Sequence, residues 1–225
     1  MKILAIETAT DACSAALSIE GEVQEDFRLA PREHAALLLP MVDSLLAAAG
    51  LSMTRLDAVA FGRGPGSFTG LRIAAGMAQG LAFGAGLPVV PVSTLAALAQ
   101  GTLREHGAQQ VLVALDARMQ EVYWAVYQAR GELVVLQGDE TVCAPAAVPL
   151  PAGGDWTGAG SGWSSYEAEL MSVAAAVTVR AVPEQRPHAR DIAALAAPHV
   201  ASGDTLAPEQ ALPVYLRDKV ASKPA

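Results

Sequence analysis

Lysine is nearly missing from this chain: of 225 residues only Lys2, Lys219 and Lys223 carry an ammonium group. No interior amine is therefore at hand for a Schiff base or for gripping a phosphate. Lysine and arginine together number 15 against 23 acids, a net charge of −8. Holding a polynucleotide takes several phosphate-neutralising cations, so the chain is not expected to be the principal binder of a nucleic acid. Cysteine is scarce too. Cys13 and Cys143 lie far apart and make no metal-ligand pair, and two free thiols in a reducing compartment are expected. The four histidines, His34, His106, His188 and His199, offer no H-x-x-x-H or H-E-x-x-H spacing, which argues against a zinc site. Ser67 and Ser161 lack the glycine spacing of a nucleophile elbow. No stretch approaches the roughly 20 apolar residues of a membrane span. The apolar start Ile3-Leu4-Ala5-Ile6 is cut short by Glu7, too soon for a signal peptide. A cytoplasmic protein is expected. Aromatics make up 5% against 52% hydrophobic residues, so Ala, Leu and Val must build the core.

What is present is a run of alternating elements. Ile3 to Thr8, Cys13 to Ile19 and Val23 to Leu29 read as three strands joined by tight turns, an antiparallel meander. A helix follows from about Glu33 to Ala49, closed by Gly50. Leu56 to Phe61 is a strand, Leu71 to Phe83 a second helix and Leu87 to Val92 another strand. Ser93 or Thr94 then caps a helix that runs to His106. The second half repeats this outline. Val111 to Leu115 is a buried strand. In Glu121 to Gln128, Val122, Trp124 and Val126 alternate with Tyr123, Ala125 and Tyr127 as a hairpin partner, and Leu133 to Leu136 comes next. Residues 137 to 190 are rich in Pro, Gly and Ala; a strand at Val177 to Val182 and a helix from Ala189 to Ala201 are the firmest elements near there. Val214 to Arg217 is expected to be extended and the last few residues disordered.

The stretch Gly62-Arg63-Gly64-Pro65-Gly66-Ser67-Phe68-Thr69-Gly70-Leu71-Arg72 has the glycine content of a phosphate loop. A Walker A loop requires Lys then Ser or Thr after its last glycine, because the lysine reaches the phosphates; here Leu71 and Arg72 follow Gly70. Gly62, Gly64 and Gly66 alternate, with Pro65 between, and so do not make G-x-G-x-x-G. Two readings stay open: a helix start whose N–H groups attract an anion, or a tight turn that packs helix on sheet.

In the helix beyond, Gly76, Gly80 and Gly84 fall four apart on one face, with Ala75 and Ala82 nearby. Each interior glycine costs a helix about 1 kcal/mol relative to alanine, which suits a face pressed against another backbone, in this chain or in a second subunit. The first helix carries Leu37, Leu38, Met41, Val42, Leu45 and Leu46, widened by Leu39. An exposed helix normally covers about a 100° apolar sector; this one exceeds that, so it is fully buried or meets a partner. Pro40 removes a hydrogen bond and is expected to kink it. Asp116, Arg118 and Glu121 cluster at a strand end, as a turn salt bridge or as polar contacts to a ligand or partner. No complete catalytic set emerges.

Three segments together resemble the bacterial TsaB (YeaZ) family: Ile3-Leu4-Ala5-Ile6-Glu7-Thr8-Ala9-Thr10, the glycine loop through to Ser93-Thr94-Leu95, and Asp116 to Tyr127. Pro213-Val214-Tyr215-Leu216-Arg217 fits as well. The resemblance implies an α/β protein with the two-lobed fold of the actin, sugar-kinase and Hsp70 (ASKHA) superfamily, each lobe β-β-β-α-β-α, with lobes at 1–106 and 107–225. It implies a non-catalytic scaffold and activator in making N6-threonylcarbamoyladenosine at position 37 of tRNAs that read codons beginning with A. The partners implied are the paralogue TsaD, which performs the transfer, and the ATPase TsaE. Contact with tRNA is expected only within that complex, and a homodimer when the chain is alone. Active superfamily members carry Asp-x-Gly-Thr where this chain has Glu7-Thr8-Ala9-Thr10, so the glycine that admits a phosphate is absent. The paired histidines of TsaD-like proteins are absent as well. No tightly bound cofactor, no metal and no catalytic residue are expected, with ATP or ADP at most at the complex interface.

The partner surface implied by the resemblance comprises His34, Leu37, Leu38, Met41, Val42, Leu45, Arg72, Ala75, Gly76, Gln79, Gly80 and Phe83. Nucleotide or polar contacts are assigned to Glu7, Thr8, Thr10, Gly64, Gly66, Ser67, Asp116, Arg118 and Glu121. The alternative is an autonomous nucleotide-dependent phosphotransferase of the same superfamily. A peptidase would need a metal pair or a nucleophile elbow, and neither is present.

Overall fold

The computed structural model describes residues 1–217; the terminal residues expected to be disordered lie outside that range. Strands β1 (Lys2–Glu7), β2 (Ala12–Ile19) and β3 (Glu22–Leu29) form the antiparallel meander read from the sequence. Helix α1 (His34–Ala49) runs through Pro40 and stops at Gly50, whose left-handed φ of 62° lets its N–H return to the carbonyl of Ala47. Strand β4 (Ala58–Gly64) lies parallel to β1. Helix α2 (Phe68–Ala85) begins three residues before its apolar pattern because the Ser67 hydroxyl accepts from the Gly70 amide. Strand β5 (Val89–Ser93) pairs parallel with β4, and α3 (Thr94–His106) is capped by Ser93 accepting from the Leu95 and Ala96 amides. The sheet order is β3-β2-β1-β4-β5.

The second half repeats that order. Strands β6 (Gln110–Asp116), β7 (Val122–Arg130) and β8 (Leu133–Cys143) form a meander. Strand β9 (Asp155–Ala159) joins β6 in parallel, short helices α4 (Gly162–Ser165) and α5 (Glu167–Val173) follow, and β10 (Thr178–Val182) pairs with β9. The chain then enters α6 (Ala189–Ser202). The order β8-β7-β6-β9-β10 is the first sheet's arrangement over again: third, second, first, fourth, fifth strand. Two α/β lobes of one topology, with the last two strands parallel to the first, make the two-lobed ASKHA-type fold. Strand β8 runs to Cys143, well past the expected end at Leu136, because it pairs with the whole length of β7.

Period-two alternation decides what each sheet touches. In the first sheet Leu4, Ile6, Val59 and Phe61 face α1 and α2, while Ile3, Ala5, Ala60 and Val90 face α6. In the second sheet Val111, Val113 and Leu115 face α3, while Leu112 and Ala114 pack with Trp124 and Trp163 on the side of α4 and α5. Helices α3 and α6 therefore form a middle layer between the sheets. Arg104 of α3 grips the buried Asp191 of α6 through two bonds of 2.9 Å. A cut between residues 106 and 107 separates the sheets but not their cores: α6, from the second half, covers the first sheet, and α3, from the first half, covers the second. In β7, Val122, Trp124, Ala125 and Tyr127 are all buried, so this central strand is covered on both faces and does not show the one-sided alternation of a hairpin. Among the described residues no helix is long and apolar enough to cross a membrane.

Candidate functional site

The glycine loop is filled from inside the chain. A Cβ at Gly62 would fall 2.0 Å from Glu7 Oε2, one at Gly70 2.0 Å from the Thr8 carbonyl oxygen, and one at Gly66 2.5 Å from the Ala9 carbonyl oxygen. The end of β1 thus lies backbone-to-backbone on the loop. The Ser67 amide donates to the Ala9 carbonyl at 2.7 Å, and the Thr8 hydroxyl to the Gly70 carbonyl at 2.8 Å. Of the two sequence readings, the glycines here serve packing: the volume next to them is occupied by residues 7–9.

Glu7 and Thr8 were assigned as polar contacts, but both are fully buried. The Glu7 carboxyl accepts from the Ala9 amide at 2.6 Å and from the Thr94 hydroxyl at 3.0 Å. Burial drives its pKa up to about 7, against the lowering effect of these two bonds and of the Thr8 amide. It faces the start of α3 and not an open site. Gly64, also buried, lies under the carbonyl of Val214 and the Leu71 side chain.

The remaining candidates do converge. A cavity of about 770 Å³ opens between the lobes, and Thr10, Gly66, Ser67, Asp116 and Arg118 all line it, with Arg32, Arg186, Ser161 and Tyr123. Its cations are mostly engaged. Arg186 is paired with Asp11 at 2.8 Å, and Arg118 with Asp116 at 3.2 Å. Glu121 is bound by Arg217, whose guanidinium also reaches the Arg118 carbonyl. The turn salt bridge read from Asp116 and Arg118 is thus present. Among the described residues no group of three or more His, Cys, Asp or Glu side chains is placed to hold a metal.

The expected partner surface requires correction. Leu38, Met41, Val42 and Leu45 are buried in the first lobe's core, where α1 lies on β2, and Ala75 is buried in the same core, where α2 lies on β4. His34 is buried with its Nε2 3.0 Å from the Thr10 carbonyl oxygen. The broad stripe of α1 meets the chain's own sheet, because a helix lying flat on a twisted sheet also buries the flanks of its contact line. Leu37 and Gln79 are half-buried, Gln79 donating to the Glu209 carbonyl at 3.4 Å. What faces outward is the other side. On α1 it is Ala35, Ala36, Leu39, Pro40, Asp43, Ser44, Ala47 and Ala48; on α2 it is Arg72, Gly76, Gly80, Phe83 and Gly84. Phe83 is 78% exposed, and a Cβ at Gly76, Gly80 or Gly84 would meet nothing within 4 Å. Among the described residues, no packing requires these three glycines.

One buried cluster escaped the sequence reading. Glu140 of β8 accepts from the Tyr127 hydroxyl at 2.8 Å, from the Ser93 hydroxyl and from Arg63 at 3.3 Å, tying the second sheet to β4 and β5. Burial and the adjacent carboxylate push the Tyr127 phenol well above its ordinary range. The one hint in the sequence was an arginine between two glycines at a strand end, and it did not disclose a partner 77 residues away.

Comparison with known proteins gives one answer. The family model for TsaD, tRNA N6-adenosine threonylcarbamoyltransferase, matches residues 28–224. The chain is 47% identical to the tRNA threonylcarbamoyladenosine biosynthesis protein TsaB of Escherichia coli K12, over 99% of this chain and 97% of that protein. It is 45% identical to the protein of the same name from Haemophilus influenzae, over 74% of each. A crystal structure from Pseudomonas aeruginosa, described as similar to peptidase YeaZ, superposes with a TM-score of 0.90 at 47% identity, covering 96% of this chain and 99% of the other. The chain therefore belongs to the TsaB (YeaZ) family of tRNA threonylcarbamoyladenosine biosynthesis proteins, within the wider family described by the threonylcarbamoyltransferase model.

Proposed function

We propose that in tRNA threonylcarbamoyladenosine biosynthesis this chain is a non-catalytic scaffold, which docks the transferase paralogue TsaD on the outer face of α1 and α2 and assembles with the ATPase TsaE. The observation that carries the reading is the open glycine face of α2. Three interior glycines cost a helix about 3 kcal/mol in all relative to alanine, and nothing among the described residues requires them. A second helix backbone lying in that groove gives each of them a purpose. Phe83 and Leu39, both exposed, supply the flanking apolar contacts. The same face serves a homodimer when TsaD is absent, and tRNA is met only in the assembled complex.

The non-catalytic part of the proposal rests on the end of β1. The acid that ends β1, Glu7, is sealed beneath Gly62 and Thr94, so it has no line of approach to a metal–nucleotide complex. In this reading ATP or ADP sits at the junction with TsaD and is not held by this chain alone. Titration of magnesium–ATP into the isolated chain is expected to give no saturable heat. Saturable micromolar binding by the folded chain, with turnover of the bound nucleotide, would instead favour the autonomous phosphotransferase.

The docking test is co-elution with TsaD on a sizing column. Gly80→Glu places a charged side chain in the groove without touching the fold, and is expected to abolish co-elution while leaving the thermal midpoint within a few degrees. A complex that forms as before in Gly80→Glu would overturn the assignment of this face.

A further inference from the structure

The segment after the last helix crosses the cleft and is bonded to both of its walls. Ala211 is buried in the core of the first lobe and anchors it there. Three residues on, the Val214 amide donates to the Arg63 carbonyl at 2.7 Å, and the Val214 carbonyl packs so tightly on Gly64 that a Cβ there would sit 2.8 Å away. Tyr215 leans on Phe68, ring centres 5.6 Å apart, and its hydroxyl accepts from Arg72 at 3.2 Å. All of these contacts belong to the first lobe. Arg217 then reaches the second lobe, at the turn between β6 and β7. Its guanidinium donates to the Arg118 carbonyl at 3.4 Å, to Met119 Sδ at 3.5 Å and to the Glu121 carboxylate.

That turn is under backbone strain. Arg118, Met119 and Gln120 are three consecutive non-glycine residues with φ of 62°, 54° and 61°, a conformation that L-residues enter singly and rarely. Such strain persists only where surrounding bonds over-determine it. Here the Arg217 guanidinium caps the turn from one side, and the Ala117 amide bonds the Glu121 carbonyl at 2.9 Å from within. From Val214 to Arg217 the backbone can span at most about 10 Å, so fastening both ends limits how far the two cleft walls can part.

We propose that residues 213–217 are an interlobe latch, with Val214 as its fastening on the first lobe and Arg217 as its pin on the second. The latch limits the opening of the cleft and holds the 118–120 turn in its strained form. Its role is conformational: it fixes the relation between the lobe that carries the docking face and the lobe that does not.

A latch has a signature that a locally packed tail lacks, because breaking either end must loosen the opposite wall. Hydrogen exchange of the full chain, followed by mass spectrometry, reads this directly. Val214→Pro deletes the amide donor on the first lobe and is expected to speed exchange at least tenfold in peptides covering 116–122 of the second. Arg217→Ala deletes the pin on the second lobe and is expected to do the same at 62–70 of the first. Peptides from β1 and from residues 110–115 of β6 should be unchanged in both. Arg217→Lys keeps the charge beside Glu121 but loses the planar fork, and should show the Arg217→Ala pattern at reduced size. If each substitution affects only the wall it touches, or if exchange rises uniformly through the strands in all three variants, there is no latch.

Discussion

Glu7 is a carboxyl whose environment sets a direction for pH dependence. An unfolded glutamate titrates near 4.5, whereas Glu7 in the fold titrates near 7. Between those values the folded chain retains a proton that the unfolded chain has released. Stability from this group is therefore full below pH 4.5, falls as pH rises towards 7 and levels off above it. A shift of that size corresponds to about 3 kcal/mol. Glu7→Gln imitates the protonated form: its carbonyl can accept from the Ala9 amide, and its NH₂ can donate to Thr94 once that hydroxyl rotates. In urea denaturation the variant is expected to exceed the parent by about 1–3 kcal/mol at pH 8 and to match it near pH 5. A gap of equal size at both pH values would show that Glu7 does not titrate in this range. Leu38 presents a simpler case. Fully buried, it is a core residue, and Leu38→Ala is expected to lower stability by about 2–5 kcal/mol in the same assay, with the folded fraction still eluting with TsaD. Loss of co-elution without loss of stability would return Leu38 to the surface.

At the scale of the element, α2 has two faces with opposite demands. Its inner face, Leu71, Ala74, Ala75, Ala78 and Ala82, is small and buried, which lets the helix lie close on β4. Its outer face carries the glycines. A methyl group added to Gly76 or Gly80 meets no atom of the described residues, so Gly→Ala should stabilise the isolated protein by about 0.5–1 kcal/mol per site through helix propensity alone. If a second helix rests on this face, the same methyl groups should weaken docking. The expected result for the Gly76→Ala, Gly80→Ala double variant is a higher thermal midpoint together with a lower affinity for TsaD by calorimetry. A raised midpoint with unchanged affinity would mean that the glycines are not held for contact.

At the scale of the whole molecule, the middle layer governs cooperativity. Ile3, Ala5, Ala16 and Ala60 are covered by Ala189, Ile192, Ala193 and Ala196 of α6, a helix that arrives only after the second sheet is complete. A fragment ending at residue 106 would expose that whole face, along with the α3 side chains Leu95 and Leu98 that belong to the second core. The fragment 1–106 is expected to be insoluble or to lack near-ultraviolet dichroism, and the intact chain to unfold in one transition by both fluorescence and circular dichroism. A fragment that folds by itself would show the lobes to be independent.

Element order up to Leu136, the strand meander in each half, the cap at Gly50 and a hydroxyl cap at Ser93 or Thr94 were legible from residue pattern, because they depend on chain-local preferences: left-handed φ, hydroxyl acceptors, alternation; β9, α4 and α5, in the Pro-, Gly- and Ala-rich stretch, were not. The sequence of α1 likewise announced a wide apolar surface. It could not say against what, since periodicity counts apolar side chains and is blind to whether a sheet of this chain or another protein covers them. Leu38, Met41, Val42 and Leu45 were therefore assigned outward and lie inward. Glycine spacing has the same ambiguity. Gly62, Gly66 and Gly70 yield to the end of β1, while Gly76, Gly80 and Gly84 yield to nothing among the described residues, and only coordinates distinguish the two sets. The exchange of α3 and α6 between lobes, the Arg63–Glu140 tie and the strap from Ala211 to Arg217 join residues far apart in sequence. Local propensity carries no term for such pairs, and the tertiary structure alone decided them.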